Sequence, residues 1–392
     1  MPRFPKLVAT AQHMSAGVFG KVSSGTSGQP KRIFSLHVGD TYLEPLPAAR
    51  AEAQRTDALP RLHNYSPTQG EPALISAIVR KVARRSGVTL DPARLQVMPG
   101  ATAAMGIVCS ALVDPADEVI IPAPFWPLIR GAVRARGATA VEVPIFSRLS
   151  EPGFDPVAAI EAAITERTCA IYLNMPNNPT GHGLSDSALA GIAQLADKHA
   201  LWIIADEAYE DIWFGSEAPP SVFARTDMAA RCVTTHSVSK AYAMAGARVG
   251  YTHGTAETME TIRGVQTFYS YCAPRPMQFA AACALEQGDA WLTQMRATYA
   301  RAARLSAEAL EQPVPPGGTF LFFDMQPFMR RSETLTDILE RCLEAGVMLT
   351  PGTACGTDFG TWARLCFTTV PEPELQQALG CLRSVLFARA GV

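Results

Sequence analysis

Seven short apolar runs, near residues 95, 118, 140, 170, 202, 233 and 249, each stop at a polar or glycine-bearing turn and alternate with stretches of helical period such as 185–199. A strand covered on both faces reads as an almost continuous apolar run, and helices that cross over between such strands leave them parallel. The alternation predicts an α/β fold whose large domain is a mostly parallel, seven-stranded sheet sandwiched by helices. Thr68-Gln69-Gly70-Glu71 has capping-box spacing and predicts the start of a helix with Leu74, Ile75, Ile78 and Val82 on one face, ending near Gly87. After about residue 290 the rhythm changes. A long helical stretch leads into Pro313-Val314-Pro315-Pro316-Gly317-Gly318. A strand at 319–325, a helix at 333–345 and a strand at 364–368 then describe a smaller α+β domain. At 392 residues the chain is too long for one simple core, which agrees with two domains.

Bulk properties exclude several function classes. Apolar content of 48% against 18% charged residues describes a folded globular protein. A net charge of −2 gives no reason to expect nucleic acid or an anionic membrane as partner. The nine cysteines are odd in number, scattered and without a Cys-x-x-Cys pair, which predicts reduced thiols, a cytoplasmic setting and no zinc site. No histidine pair has ligand spacing, so no metal is expected. The apolar stretch 105–113 is too short to span a bilayer, and the segment around Arg3 and Lys6 lacks the apolar run of a secretory leader.

The chemistry concentrates at strand ends. Ser237-Val238-Ser239-Lys240 follows the run Cys232–His236, and Arg248-Val249-Gly250 opens the next. A lone lysine is ordinarily a solvated surface charge. Open α/β sheets, however, bind ligands just past the carboxyl ends of their strands, and Lys240 falls there. A desolvated lysine is an amine nucleophile towards a carbonyl, while two serine hydroxyls and Arg248 suit a phosphate. Pyridoxal 5′-phosphate is one aldehyde that carries a phosphate. Asp206 ends the apolar run Leu201–Ala205, where a carboxylate favours the charged form of a pyridine nitrogen. Tyr209 follows three residues on. Asn174-Met175-Pro176-Asn177-Asn178-Pro179-Thr180-Gly181 makes a rigid turn after the run Cys169–Leu173. Gly100, between a strand and the alanine-rich start of a helix, allows close approach of an anion to the helix N-terminus. Phe125 and Trp126 end another strand, and either ring could stack on a pyridine. Arg364 stands inside an apolar run, where it would need a partner such as a carboxylate.

Taken in order, these segments resemble the class I aminotransferases, fold-type-I enzymes that use pyridoxal 5′-phosphate. The resemblance covers nearly the whole chain and implies a role for each segment. Lys240 holds the cofactor and shuttles the substrate's α-proton, Asp206 partners the ring nitrogen, and Asn178 and Tyr209 donate to the ring oxygen. Trp126 stacks on the ring. Gly100, Ala101, Thr102, Ser237, Ser239 and Arg248 hold the phosphate, joined by Tyr65 from the other subunit of a homodimer with shared active sites. Arg364, with Gly39 and Asn178, receives the substrate. It further implies a large domain at 46–288 and a discontinuous small domain at 1–45 and 289–392. The first 35 or so residues are atypical, and Gly39-Asp40-Thr41-Tyr42 lacks the usual proline. The expected reaction is transamination between an amino acid and a 2-oxo acid. A carbon–sulfur β-lyase, or another α-carbon chemistry on the same scaffold, would use the same cofactor groups. A non-catalytic ligand-sensing domain on this scaffold would need a DNA-binding module ahead of it, for which about 35 residues are too few. If Cys272 marks the position of the phosphate-contacting serine, the arginine that grips a second carboxylate in aspartate-specific relatives is replaced by Phe268. With Tyr269, Tyr271 and Tyr42 nearby, aromatic or other uncharged donors are expected to outperform aspartate, unless Arg263 or Arg275 supplies the missing cation.

Overall fold

The computed structural model describes residues 32–55 and 59–387, and of the first 31 residues only Val8, Thr10 and Met14. Most of the 1–31 portion of the expected small domain, with Arg3 and Lys6, lies outside the described residues.

A short strand, β1 (Phe34–Ser35), precedes helices α1 (Pro47–Ala53) and α2 (Pro72–Ser86). All seven apolar runs form strands of one sheet. These are β2 (Leu95–Met98), β3 (Glu118–Ala123), β4 (Thr139–Pro144), β5 (Thr168–Asn174), β6 (Trp202–Asp206), β7 (Cys232–Ser237) and β8 (Gly250–His253). Their order is β2-β8-β7-β6-β5-β3-β4. Only β8 runs against its neighbours, so six strands point their carboxyl ends to the same edge. β3 and β7 are buried along their whole length, and β5 and β6 at all but Cys169 and Trp202, which is why they read as continuous apolar runs. The connecting helices include α3 (Ala101–Leu112), α4 (Pro127–Ala135), α5 (Pro156–Glu161) and α6 (Asp186–Lys198).

Helix α2 starts at Pro72 rather than at a capping box on Thr68. Proline at the first helical position needs no N–H partner and presets φ, and Glu71 makes no side-chain cap. The end is as expected: Gly87 closes α2 at φ 70°. Leu74, Ile78 and Val82 are buried as anticipated, Ile75 is half-buried, and Lys81 is unexpectedly buried among them.

Helices α7 (Ala256–Ser270), α8 (Arg275–Gln287) and α9 (Asp289–Ala309) lead to a three-stranded antiparallel sheet. It orders β11 (Thr350–Pro351), β12 (Trp362–Cys366) and β9 (Phe320–Asp324), with α10 (Leu335–Glu344) and α11 (Glu372–Leu386) packed alongside. Between α10 and β11, strand β10 (Val347–Met348) pairs in parallel with β1. Phe34 and Leu36 therefore share one apolar cluster with Leu321, Ile338, Leu365 and Leu382. Among the described residues no helix is long and apolar enough to cross a membrane, and all nine cysteines are free thiols.

Candidate active site

Five strand ends converge on one cavity of about 210 Å³. β2 delivers Ala101 and Thr102, β3 Trp126, β5 Asn178, β6 Asp206 and Tyr209, and β7 Ser237, Ser239 and Lys240. Gly39, Arg248, Phe320 and Arg364 also line it.

At one end lies an anion cradle. Gly100 adopts φ 84° and ψ 159°, a backbone region essentially reserved for glycine. A Cβ there would run into the Arg248 guanidinium, so the arginine lies directly over the start of α3. Arg248 itself sits at φ 52°, a conformation that costs an arginine energy and aims its side chain. Its Nη1 donates to the Ala245 carbonyl at 2.7 Å. The Ser237 hydroxyl donates to Ser239 Oγ at 2.8 Å, and the Ser239 N–H donates to Ser237 Oγ at 3.0 Å. Positive charge, two hydroxyls and the first-turn N–H groups of a twelve-residue helix thus surround one spot.

Lys240 Nζ donates to the Gly39 carbonyl. Burial pushes this amine below the ordinary lysine range, and the Arg364 and Arg248 charges push the same way against Cys366 and Asp40. On the inner wall, burial raises the Asp206 carboxyl above its usual range. That rise is opposed by the Ala208 N–H on Oδ1 at 3.1 Å and the Tyr172 hydroxyl on Oδ2 at 2.9 Å. A buried carboxylate so placed stabilises a cationic nitrogen far more than it would in water.

Arg364 is 1% exposed. Its Nη1 donates to Asn178 Oδ1 at 3.0 Å, its Nη2 to the His37 carbonyl at 3.0 Å, and its guanidinium lies 4.2 Å from the Phe320 ring centre. With the amide oxygen taken by Arg364, what Asn178 offers the cavity is its NH₂ donor. Tyr209 is buried, with its ring edge-on to Phe320 at 6.1 Å. Burial lifts its phenol well above the ordinary range, so it acts as a donor too.

Trp126 and Phe125 part company here. Trp126 is half-buried and lines the cavity, whereas Phe125 is in the core beneath it. Tyr65 does not reach the cavity of its own chain. It is 79% exposed and packs against Tyr271 at 4.6 Å. Phe268, Tyr269 and Tyr271 are exposed with it, so the expected aromatic side-chain pocket is not assembled within one chain. Arg263 and Arg275 are tied elsewhere, to Gln96 and to Glu71.

Three features escaped sequence reading. Tyr172 reads as an ordinary strand aromatic. The His37 carbonyl and Thr350 hydroxyl, which meet Arg364, carry no local signal. A buried network sits behind Asp206, where Lys81 Nζ binds Glu210 at 2.6 Å and Asp211 at 2.8 Å while Arg85 binds the same two carboxylates. Glu207, Glu210 and His236 approach one another closely enough to hold a cation, but Lys81 and Arg85 already supply the positive charge there.

The geometry fits pyridoxal 5′-phosphate on its own chemistry. The Gly100 cradle suits a phosphate, Asp206 a ring nitrogen, Asn178 and Tyr209 an anionic ring oxygen, and Lys240 an aldehyde. Comparison with known proteins points the same way. Residues 31–382 match the family model described as aminotransferase class I and II. The arginine–pyruvate transaminase of Pseudomonas aeruginosa is 34% identical over 370 residues, covering 92% of this chain and 91% of that protein. Among solved structures, a Thermus thermophilus aspartate aminotransferase single mutant superposes with a TM-score of 0.85 at 28% identity, covering 98% of this chain and 100% of that one. The aromatic aminotransferase of Pyrococcus horikoshii gives 0.84 at 28% identity, covering 91% and 96%.

Proposed function

The chain belongs to the class I and II aminotransferases, pyridoxal-phosphate enzymes that move amino groups between amino acids and 2-oxo acids, and from that premise we propose which residues do the work and which donors it prefers. One observation carries the assignment: a half-buried lysine lies in the same cavity as an arginine-covered helix start, a buried aspartate and the buried Arg364.

Bound pyridoxal 5′-phosphate supplies an electron sink conjugated to the substrate's α-carbon. The chain's own groups do the rest. Arg248, Ser237, Ser239 and the Ala101–Thr102 backbone bind the phosphate. Asp206 balances charge at the ring nitrogen, and Trp126 covers a ring face. Arg364 binds the α-carboxylate by its forked guanidinium and fixes the orientation of the α-carbon. The depressed Lys240 amine accepts the α-proton at Nζ and returns it. The 46–288 stretch acts as the cofactor-binding domain, with the N-terminal segment and 289–392 as the domain that carries Arg364. We place the enzyme in the cytoplasm as a homodimer. In that assembly Tyr65 and the exposed aromatics around Phe268 reach the second copy's site.

Among the described residues, the cations lining the cavity are Lys240, Arg248 and Arg364, all already assigned. The larger apolar side chains in the wall are Val38, Trp126, Leu128 and Phe320. This supports uncharged, preferably aromatic, donors over aspartate. Asp40, close enough to Lys240 to raise its proton affinity, supports a second reading in which a cationic donor is accepted, in line with the name of the Pseudomonas relative. The test is a donor panel following the cofactor's absorption through the half-reaction, with kcat/KM compared for phenylalanine, arginine and aspartate. A phenylalanine value above both others is expected, and a strong aspartate preference overturns the donor reading while leaving the cofactor assignments untouched.

A further inference from the structure

Asp206 is the sole carboxylate lining the cavity among the described residues, and it is buried. Both of its oxygens are held from the protein side. Oδ1 accepts the Ala208 N–H, and Oδ2 accepts the hydroxyl of Tyr172 at 2.9 Å. Each oxygen keeps a lone pair for a further donor, and rotating the carboxylate would break one bond or the other. Tyr172 lies on β5, beside β6, two residues before Asn174, which pairs with Asp206 across the sheet. The tyrosine is 1% exposed and does not line the cavity. It touches neither substrate nor cofactor space, and its position follows from strand register alone.

We infer that Tyr172 is a positioning residue for the reaction: its hydroxyl, donating to Asp206 Oδ2 from behind the cavity, fixes the plane of that carboxylate and supports its negative charge. The inference rests on the reading of Asp206 as the ring-nitrogen partner. Tyr172 can serve only as donor, because burial and the Asp206 charge keep its own proton on. The other titratable groups near Asp206 are His236 on β7, Lys240 and Tyr209. His236 and Lys240 favour the charged carboxylate through space, but neither is hydrogen-bonded to it.

The test uses holoenzyme carrying Tyr172→Phe, which keeps the ring and removes the donor. A hydrogen bond to a charged group is worth enough that kcat should fall by about tenfold or more. KM should stay within about twofold, because Tyr172 meets no substrate atom. The acid limb of the kcat profile and the pH titration of the cofactor's absorption band should both move to higher pH, since Asp206 loses a bond that favours its charged form. Reconstitution with N-methylpyridoxal 5′-phosphate, whose ring charge is permanent, should erase the difference between parent and variant. Site-specific 3-fluorotyrosine at position 172, a stronger donor in the same shape, should move the absorption titration the opposite way. An unchanged pH profile, a change confined to KM, a difference that survives N-methylation, or a fluorotyrosine shift in the same direction as phenylalanine overturns the inference. An Asp206→Ala control separates the two levels. If that variant turns over like the parent, the nitrogen-partner reading has failed; if it is crippled while Tyr172→Phe is normal, only the role of Tyr172 has failed.

Discussion

Replacing Gly100 by alanine loads two separable costs onto one methyl group. The first is backbone strain: φ 84° with ψ 159° is open to glycine and costs an L-residue about 1–3 kcal/mol, felt by the apoprotein as lost stability. The second is steric, since the new Cβ occupies the place of the Arg248 guanidinium and forces it off the start of α3. A charge-assisted hydrogen bond to a phosphate is worth about 1.5–3 kcal/mol, so displacing its donor should weaken cofactor binding about 10- to 150-fold. Titrating apoprotein with pyridoxal 5′-phosphate by absorbance reads the second cost, and urea unfolding of the apoprotein reads the first. Arg248→Ala should lose the affinity without the strain. In that background Gly100→Ala should cost stability but little further affinity, because the clash has gone. Gly100→Ala protein that binds the cofactor within about twofold of the parent would refute the cradle.

Lys81→Met should destabilise the fold by about 3–5 kcal/mol in urea melts, because it strands Glu210 and Asp211 beside Arg85 in a dry site; a loss below about 1 kcal/mol would contradict the network's role. Burial depresses Lys240 in the folded state, so the unfolded chain binds the extra proton and stability is lost as pH falls below the ordinary lysine range. Apo Lys240→Met should therefore gain stability over the parent at pH 7, with the gain shrinking as pH rises past about 10; a pH-independent difference would show that the amine is not depressed. Phe268→Asp, at a residue 94% exposed in the single chain, should convert an expected dimer to monomer in sedimentation and lower activity with it, whereas a parent that is itself an active monomer would remove the shared-site reading.

The fold was legible because its signals are local. A strand buried on both faces must be apolar throughout, so the runs ending at Asp206 and Ser237 announce both the strand and the position of the residue after it. Gly87 at positive φ closes α2 as a glycine there signals, whereas Thr68 does not open that helix, because Pro72 starts it by a different device. The site was legible as far as each group sits just past a strand end. What stayed hidden depends on pairing between distant segments. Tyr172 meets Asp206 through the register of β5 on β6, Lys81 meets Glu210 across 129 residues, and Arg364 meets the His37 carbonyl across 327. Phe268 is exposed on the single chain, so whether it faces a pocket depends on a second copy and cannot be read from one sequence alone.

The central claim is that Lys240 carries the cofactor. Borohydride reduction of the yellow holoenzyme, followed by proteolysis and mass mapping, tests it in one step. A single modified peptide containing Ser237-Val238-Ser239-Lys240 is expected, with the added mass on Lys240, and no modification in Lys240→Ala protein. Cofactor fixed to a different lysine, or a Lys240→Ala enzyme with full transaminase activity, would contradict it.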